Sequence, residues 1–185
     1  SNIANLGLVL GTALCFTKIK IPKSNMKFDW TFLMIISFLF FYFINDLSVN
    51  RFEGVLLFLA LILFLVFIIK IRDDSDVEEI KITTSSNYKI LILILFSSTL
   101  LYYGSELFVN SSIYFAEYFG VSERVIGLTL VAIGTSLPEL VTTLVAIYKS
   151  ELDISIGNII GSNIFNILAV IGLTSIVTDL NILSE

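Results

Sequence analysis

The chain has 185 residues, of which 56% are apolar and only 15% charged, so most of it cannot be water-facing surface. Its charges cluster and leave apolar runs that read as membrane spans, and the net charge of −5 says little because it sums both sides of a membrane. With no histidine and one cysteine, Cys15, the sequence excludes His-based acid/base catalysis, Ser-His-Asp triads, most zinc sites and a disulfide framework.

Ser1 to Thr17 is mostly apolar but opens on polar residues. It carries no signal-peptide pattern and begins with Ser rather than Met, so the chain is expected to be a piece of something longer. Cys15 there reads as a small apolar filler. The stretch matches Ser162 to Thr174. Ser1 pairs with Ser162, Asn2 with Asn163, Ile3 with Ile164, Asn5 with Asn166, Val9 with Val170 and Gly11 with Gly172. The polar residues match as well as the apolar ones. Two copies of one motif far apart in a membrane chain predict a repeat-built transporter.

Lys18 to Asp29 reads as a loop, and Trp30 to Ile44 as a short, phenylalanine-rich span. Asn45 to Glu53 is a polar link, and Gly54 to Ile69 is the clearest span of the chain. Lys70 to Lys89 is the longest polar stretch and reads as a solvated loop. Ile90 to Phe119 is a long helix, apolar up to Tyr103, then carrying Glu106, Asn110, Ser111, Ser112 and Glu117. Glu106 and Asn110 are read as capping the buried face of a tilted helix in preference to lining a substrate path. Gly120 to Arg124 makes a turn, and two more apolar helices follow, joined by Lys149 to Asp153.

Those last two helices, Ile126 to Gly172, carry the chemistry. The first holds Thr135, Ser136 and Glu139 beside Pro138; the second holds Asn158, Ser162 and Asn166, with Gly157 and Gly161 interleaved. A carboxylate inside a membrane-length apolar run is costly and marks a functional site. Pro138 has no N–H, so a helix here bends or breaks and the Gly134 carbonyl loses its donor. In lipid, freed carbonyls are tolerated only inside protein or beside a watery cavity. Thr135 and Ser136 lie four and three residues before Glu139, and Ala132 two turns before it, so helical spacing gathers them on one face. Hydroxyls, a carboxylate and bare carbonyls are an all-oxygen set, which suits hard cations such as Ca²⁺. Asn158, Ser162 and Asn166 recur every four residues as a second polar stripe, and Gly157 and Gly161 form a G-x-x-x-G step for close helix approach.

The segments GTSLPEL at Gly134–Leu140 and GNIIGSNIFN at Gly157–Asn166 together resemble an alpha-repeat of the sodium/calcium exchanger family, within the cation/Ca²⁺ antiporter superfamily. The resemblance implies an all-α, polytopic membrane protein, with about six transmembrane helices here out of a ten-helix fold of two inverted halves. Residues 1–70 would be the truncated C-terminal part of the first half, 71–89 a short cytoplasmic loop too short for a calcium-sensing module, and 90–185 the second half without its last helices. By position, Glu139 is implied as a direct Ca²⁺ ligand. Thr135 and Ala132 would offer backbone carbonyls, Ser136 and Ser162 hydroxyls for Na⁺, and Asn166 and Asn5 the rim of the central site. Ser1, as the repeat partner of Ser162, and Asn158, on the second stripe, complete the candidate ligands.

Two departures from the family pattern matter. The first-half copy of GTSLPE is absent; by the spacing of Glu139 to Ser162 its glutamate is expected roughly 23 residues upstream of Ser1. One carboxylate falls short of neutralising a divalent ion, so the chain is expected to be inactive unless it is a fragment or pairs with another chain. Asn166 also stands where several relatives carry Asp, which removes a titratable charge.

The function expected is antiport of Ca²⁺ against Na⁺ through a mid-membrane, oxygen-lined site. A Ca²⁺/H⁺ or other cation antiporter, and an inactive membrane fragment, stay open as alternatives. An enzyme is not expected, nor any cofactor beyond the transported ions, nor nucleic acid. The expected partners are Ca²⁺, Na⁺, the bilayer and the missing remainder with its second GTSxPE motif. Nine of the eleven basic residues fall on one side of the alternating spans, only Arg51 and Arg124 on the other. Loops 18–29, 70–89 and 149–153 are therefore expected to be cytoplasmic, in a plasma (inner) membrane. The helix from Ser1 then runs into the cytoplasm and its copy from Ser162 runs out, so the repeats are inverted.

Overall fold

The computed structural model describes residues 1–17, 25–71 and 87–181. Within them the chain forms seven helices: α1 (Asn2–Phe16), α2 (Asn25–Phe43), α3 (Arg51–Ile71), α4 (Asn87–Tyr118), α5 (residues 123–134), α6 (Leu137–Tyr148) and α7 (Leu152–Val177). Taking α5 and α6 as one broken span, five segments are long and apolar enough to cross a membrane, and α1 is a shorter apolar helix beside them. Residues 18–24 and 72–86 of the two longest predicted loops lie outside the described residues.

The helix boundaries follow from local chemistry, and several correct the sequence reading: α4 begins at Asn87 and α7 at Leu152, each inside an expected loop. α3 starts at Arg51, ahead of the expected Gly54. Asn50 and Glu53 form a reciprocal box: the Glu53 N–H donates to Asn50 Oδ1 at 3.0 Å and the Asn50 N–H to Glu53 Oε2 at 2.9 Å. That satisfies two amides a helix start would otherwise leave open. α2 takes in residues 25–29, expected as loop. Phe28 and Phe32 stack on Phe67 and Phe64 of α3 with ring centroids 4.3 and 4.4 Å apart, which rewards one more helical turn at this end. α4 ends at Tyr118, and the turn begins as expected at Gly120, whose φ of +73° suits glycine. The Val121 N–H reaches the Ala116 carbonyl and the Gly120 N–H the Glu117 carbonyl, each at 2.9 Å, closing the helix with a Schellman motif.

The buried centre lies between α2, α3 and α7. Leu33 and Ile36 of α2, Leu57 and Leu61 of α3, and Ile160, Ile164 and Leu168 of α7 belong to one buried apolar cluster. Lipid tails are as apolar as these side chains, so close packing, more than the hydrophobic effect, holds such helices together. Glycine permits the closest approach: a Cβ on Gly54 would stand 2.8 Å from the Gly172 carbonyl oxygen, and one on Gly172 would stand 3.2 Å from the Gly54 carbonyl oxygen. Beyond this crossing Ser48–Val49 pairs antiparallel with Leu180–Asn181 in a two-residue ladder.

α4 stands apart. None of residues 88–118 is buried; its partly covered positions are Leu101, Ser105, Val109, Ser112, Ile113 and Ala116, a single stripe at helical spacing. Glu106 and Asn110 lie off that stripe and are exposed, so they do not cap a buried face of the described chain.

Candidate functional site

The break expected at Pro138 is present. α5 stops at Gly134, Thr135 and Ser136 form a turn, and α6 restarts at Leu137 with proline in its first turn, where its missing N–H is harmless. Ser136 sits at φ −97°, ψ 0°, the bridge region common at active sites. Its N–H turns to the Ile133 carbonyl at 2.9 Å. The Ala132 carbonyl therefore takes hydroxyls instead, from Ser136 at 3.1 Å and Thr135 at 3.2 Å. The Gly134 carbonyl, stripped of its donor by Pro138, accepts the hydroxyl of Ser105 from α4 at 2.5 Å.

Glu139 follows in the first turn of α6, half-buried, and its Oε2 is buried with no hydrogen-bond partner among the described residues. Its backbone carbonyl accepts Asn158 Nδ2 from α7 at 3.2 Å, and the same amide reaches Thr143 Oγ1 at 3.2 Å. Asn158 thus braces α6 beside the carboxylate.

The other half of the site is a pair of crossed motifs. Asn5 Nδ2 donates to Ser162 Oγ at 3.0 Å, and Asn166 Nδ2 donates to Ser1 Oγ at 3.1 Å. Under the sequence match Asn5 corresponds to Asn166 and Ser162 to Ser1, so these are one contact made twice. The backbone repeats too: a π-helical turn begins at Asn5 in α1 and another at Asn166 in α7. Such turns concentrate at functional sites. Asn166 also reaches Asn2 Oδ1 at 2.9 Å, Asn2 reaches the Asn163 carbonyl at 3.2 Å, and Ser136 Oγ reaches the Ser1 carbonyl at 3.3 Å.

One run of hydrogen bonds therefore joins Thr135, Ala132, Ser136, Ser1 and Asn166 on to Asn2, Asn163, Ser162 and Asn5, through the Ile159 carbonyl that Ser162 and Asn163 share. Glu139 and Asn158 form a second group on the neighbouring turns of α6 and α7. Thr135 is the outlier: its side chain is exposed and bonds only back to its own helix.

The buried oxygens of Asn5 and Asn163, like Glu139 Oε2, have no donor among the described residues. Buried polar atoms are rarely left so, and acceptors without donors are what a hard cation satisfies. No three His, Cys, Asp or Glu side chains gather among the described residues. Asn2, Asn163, Thr143 and Ser105 were not among the expected ligands. The repeat match marks the first two, Thr143 stands one helical turn after Glu139, and nothing in the spacing marks Ser105.

The sequence model of the sodium/calcium exchanger protein family matches residues 1–70 and 89–184. CaxA of Alkalimonas amylolytica is 36% identical over 96% of this chain, and the sodium/calcium exchanger MaX1 of Methanosarcina acetivorans 30% identical over 98%. A solved structure of the sodium–calcium exchanger NCX_Mj, soaked with Na⁺ and Sr²⁺, superposes on 97% of the chain with a TM-score of 0.77 at 32% identity. The chain spans 58% of the length of CaxA, 64% of MaX1 and 59% of the NCX_Mj chain.

Proposed function

The chain belongs to the sodium/calcium exchanger family, and from that premise we propose that it forms part of a secondary transporter exchanging Ca²⁺ for Na⁺ at a mid-membrane site. Its fold is that of a multi-pass membrane exchanger, not of an enzyme. The observation that carries the proposal is Glu139: a buried carboxylate oxygen without a donor, at a proline break, in a span long enough to cross a bilayer. Glu139 ligates Ca²⁺ directly. Ala132 and Thr135 contribute carbonyls, Ser136 and Ser162 hydroxyls, and Asn5 and Asn166 amide oxygens at the rim, with Ser1 and Asn158 holding these groups in place. Residues 1–70 contribute to the first half of the exchanger and 90–185 to the second. A second carboxylate comes from the remainder of the protein.

The experiment is Na⁺-driven ⁴⁵Ca²⁺ uptake in liposomes carrying the intact protein. Uptake driven by an outward Na⁺ gradient is expected. Uptake that follows a pH gradient without Na⁺ replaces this reading with Ca²⁺/H⁺ exchange, and no uptake under either gradient favours the inactive fragment.

Orientation is part of the same proposal, since the excess of Lys and Arg marks the cytoplasmic side. A cysteine at the exposed Lys149 is expected to react with an impermeant maleimide only from the cytoplasm, and one at the exposed Arg124 only from outside. The reverse pattern inverts the topology.

A further inference from the structure

We infer that Ser105 is a positioning residue for the ion site, a clasp by which the long helix α4 fixes the broken helix that carries Glu139. The inference rests on the exchange reading and deepens it, because no candidate ligand lies on α4.

The geometry comes from three facts. Pro138 leaves the Gly134 carbonyl without its helical donor, and Ser105 Oγ supplies the replacement at 2.5 Å. Gly134 itself is buried under Val109, one helical turn along α4 from Ser105; a Cβ there would fall 2.0 Å from Val109 Cγ2. The contact is therefore a fitted one, glycine under valine with a hydroxyl capping the open carbonyl. Finally, α4 touches the described chain along one narrow stripe, with none of residues 88–118 buried.

The consequence runs through the break. Gly134 is the last residue of α5, and Thr135, Ser136 and Glu139 follow within five positions. Holding the Gly134 carbonyl sets the angle at which α5 meets α6. That angle sets where the Ala132 carbonyl and the Glu139 carboxylate stand relative to Ser162 and Asn5. A shift of α4 along its stripe would withdraw the hydroxyl and leave the carbonyl bare. Ser105 thus reports the position of α4 to the ligands without touching the ion.

The test uses the intact protein in liposomes with Ser105→Ala, Ser105→Thr, which keeps the hydroxyl, and Ser111→Ala, an exposed hydroxyl on the same helix. Two quantities are read: the half-saturating Ca²⁺ for Na⁺-driven uptake, and amide hydrogen exchange over residues 131–141 without ions. Ser105→Ala is expected to raise the half-saturating Ca²⁺ about three- to tenfold, from the loss of one donor to a buried acceptor in a membrane. Exchange over 131–141 should accelerate, while 152–165 stays unchanged. Ser105→Thr and Ser111→Ala should match the parent in both readings.

Unchanged exchange in Ser105→Ala overturns the clasp. Accelerated exchange with unchanged Ca²⁺ dependence overturns the positioning role and leaves a purely structural bond. If the parent protein carries no Ca²⁺, the exchange reading itself fails, and amide exchange still judges the clasp.

Discussion

Glu139→Ala in the intact protein is expected to lower Na⁺-driven ⁴⁵Ca²⁺ flux at least about a hundredfold, the scale of removing one partner from a buried charge pair. Glu139→Gln should do nearly as much, although it keeps the shape, because the amide brings no charge to a divalent ion. The two variants separate a ligand from a structural carboxylate by a second readout. Oε2 is buried without a hydrogen-bond partner among the described residues, so neutralising Glu139 removes no bond that this oxygen makes in the ion-free protein. Neutralising it should leave the ion-free protein as stable as the parent or more so, and should abolish the stabilisation that Ca²⁺ confers. A structural carboxylate would behave the other way, with stability lost and ion response kept. Retained flux in Glu139→Gln removes Glu139 from the site.

Much of this was legible in the sequence because membrane physics narrows what a residue can mean. A carboxylate and a proline within an apolar span leave few bland explanations, and the break at Thr135–Ser136 stands where Pro138 requires it. The match of Ser1–Gly11 to Ser162–Gly172 turned out to be geometric as well as textual: the Asn5–Ser162 and Asn166–Ser1 bonds and the paired π-helical turns repeat at the same offset.

What spacing could not reveal were contacts between helices far apart in the chain. Ser105 lies 29 residues from Gly134, and a lone serine in an apolar run carries no mark of its partner. Glu106 and Asn110 are the more polar residues of this stretch but are exposed, whereas the contact runs through Ser105 and Val109. The start of α3 was readable in principle, since Asn50 and Glu53 have capping-box spacing. The apolar run beginning at Gly54 outweighed that signal.

Gly54→Val should damage the protein far from any ligand. A Cβ on Gly54 would meet the Gly172 carbonyl oxygen and Ser175 Cβ, each at 2.8 Å, and the Ile176 backbone nitrogen at 3.0 Å. Two of these three atoms are backbone and cannot rotate aside, so α3 and α7 must part. Overpacking of this kind costs about 1–3 kcal/mol, here at a crossing that also fixes the centre formed by Leu57, Leu61, Ile164 and Leu168. Gly172→Ala should be milder, because its Cβ would meet its nearest atoms at 3.2–3.3 Å. Thermal inactivation of the purified protein should rank the parent above Gly172→Ala and Gly172→Ala above Gly54→Val. Equal stability of all three means the two helices do not cross here. The site should feel the change as well, because Gly172 directly follows the π-helical turn Asn166–Ile171. Parting the crossing loosens the turn that aims Asn166 at Ser1 and Asn2, so any Gly54→Val protein that survives should bind Ca²⁺ more weakly with Glu139 intact. A survivor with parental Ca²⁺ affinity would mean that the turn holds Asn166 without help from α3.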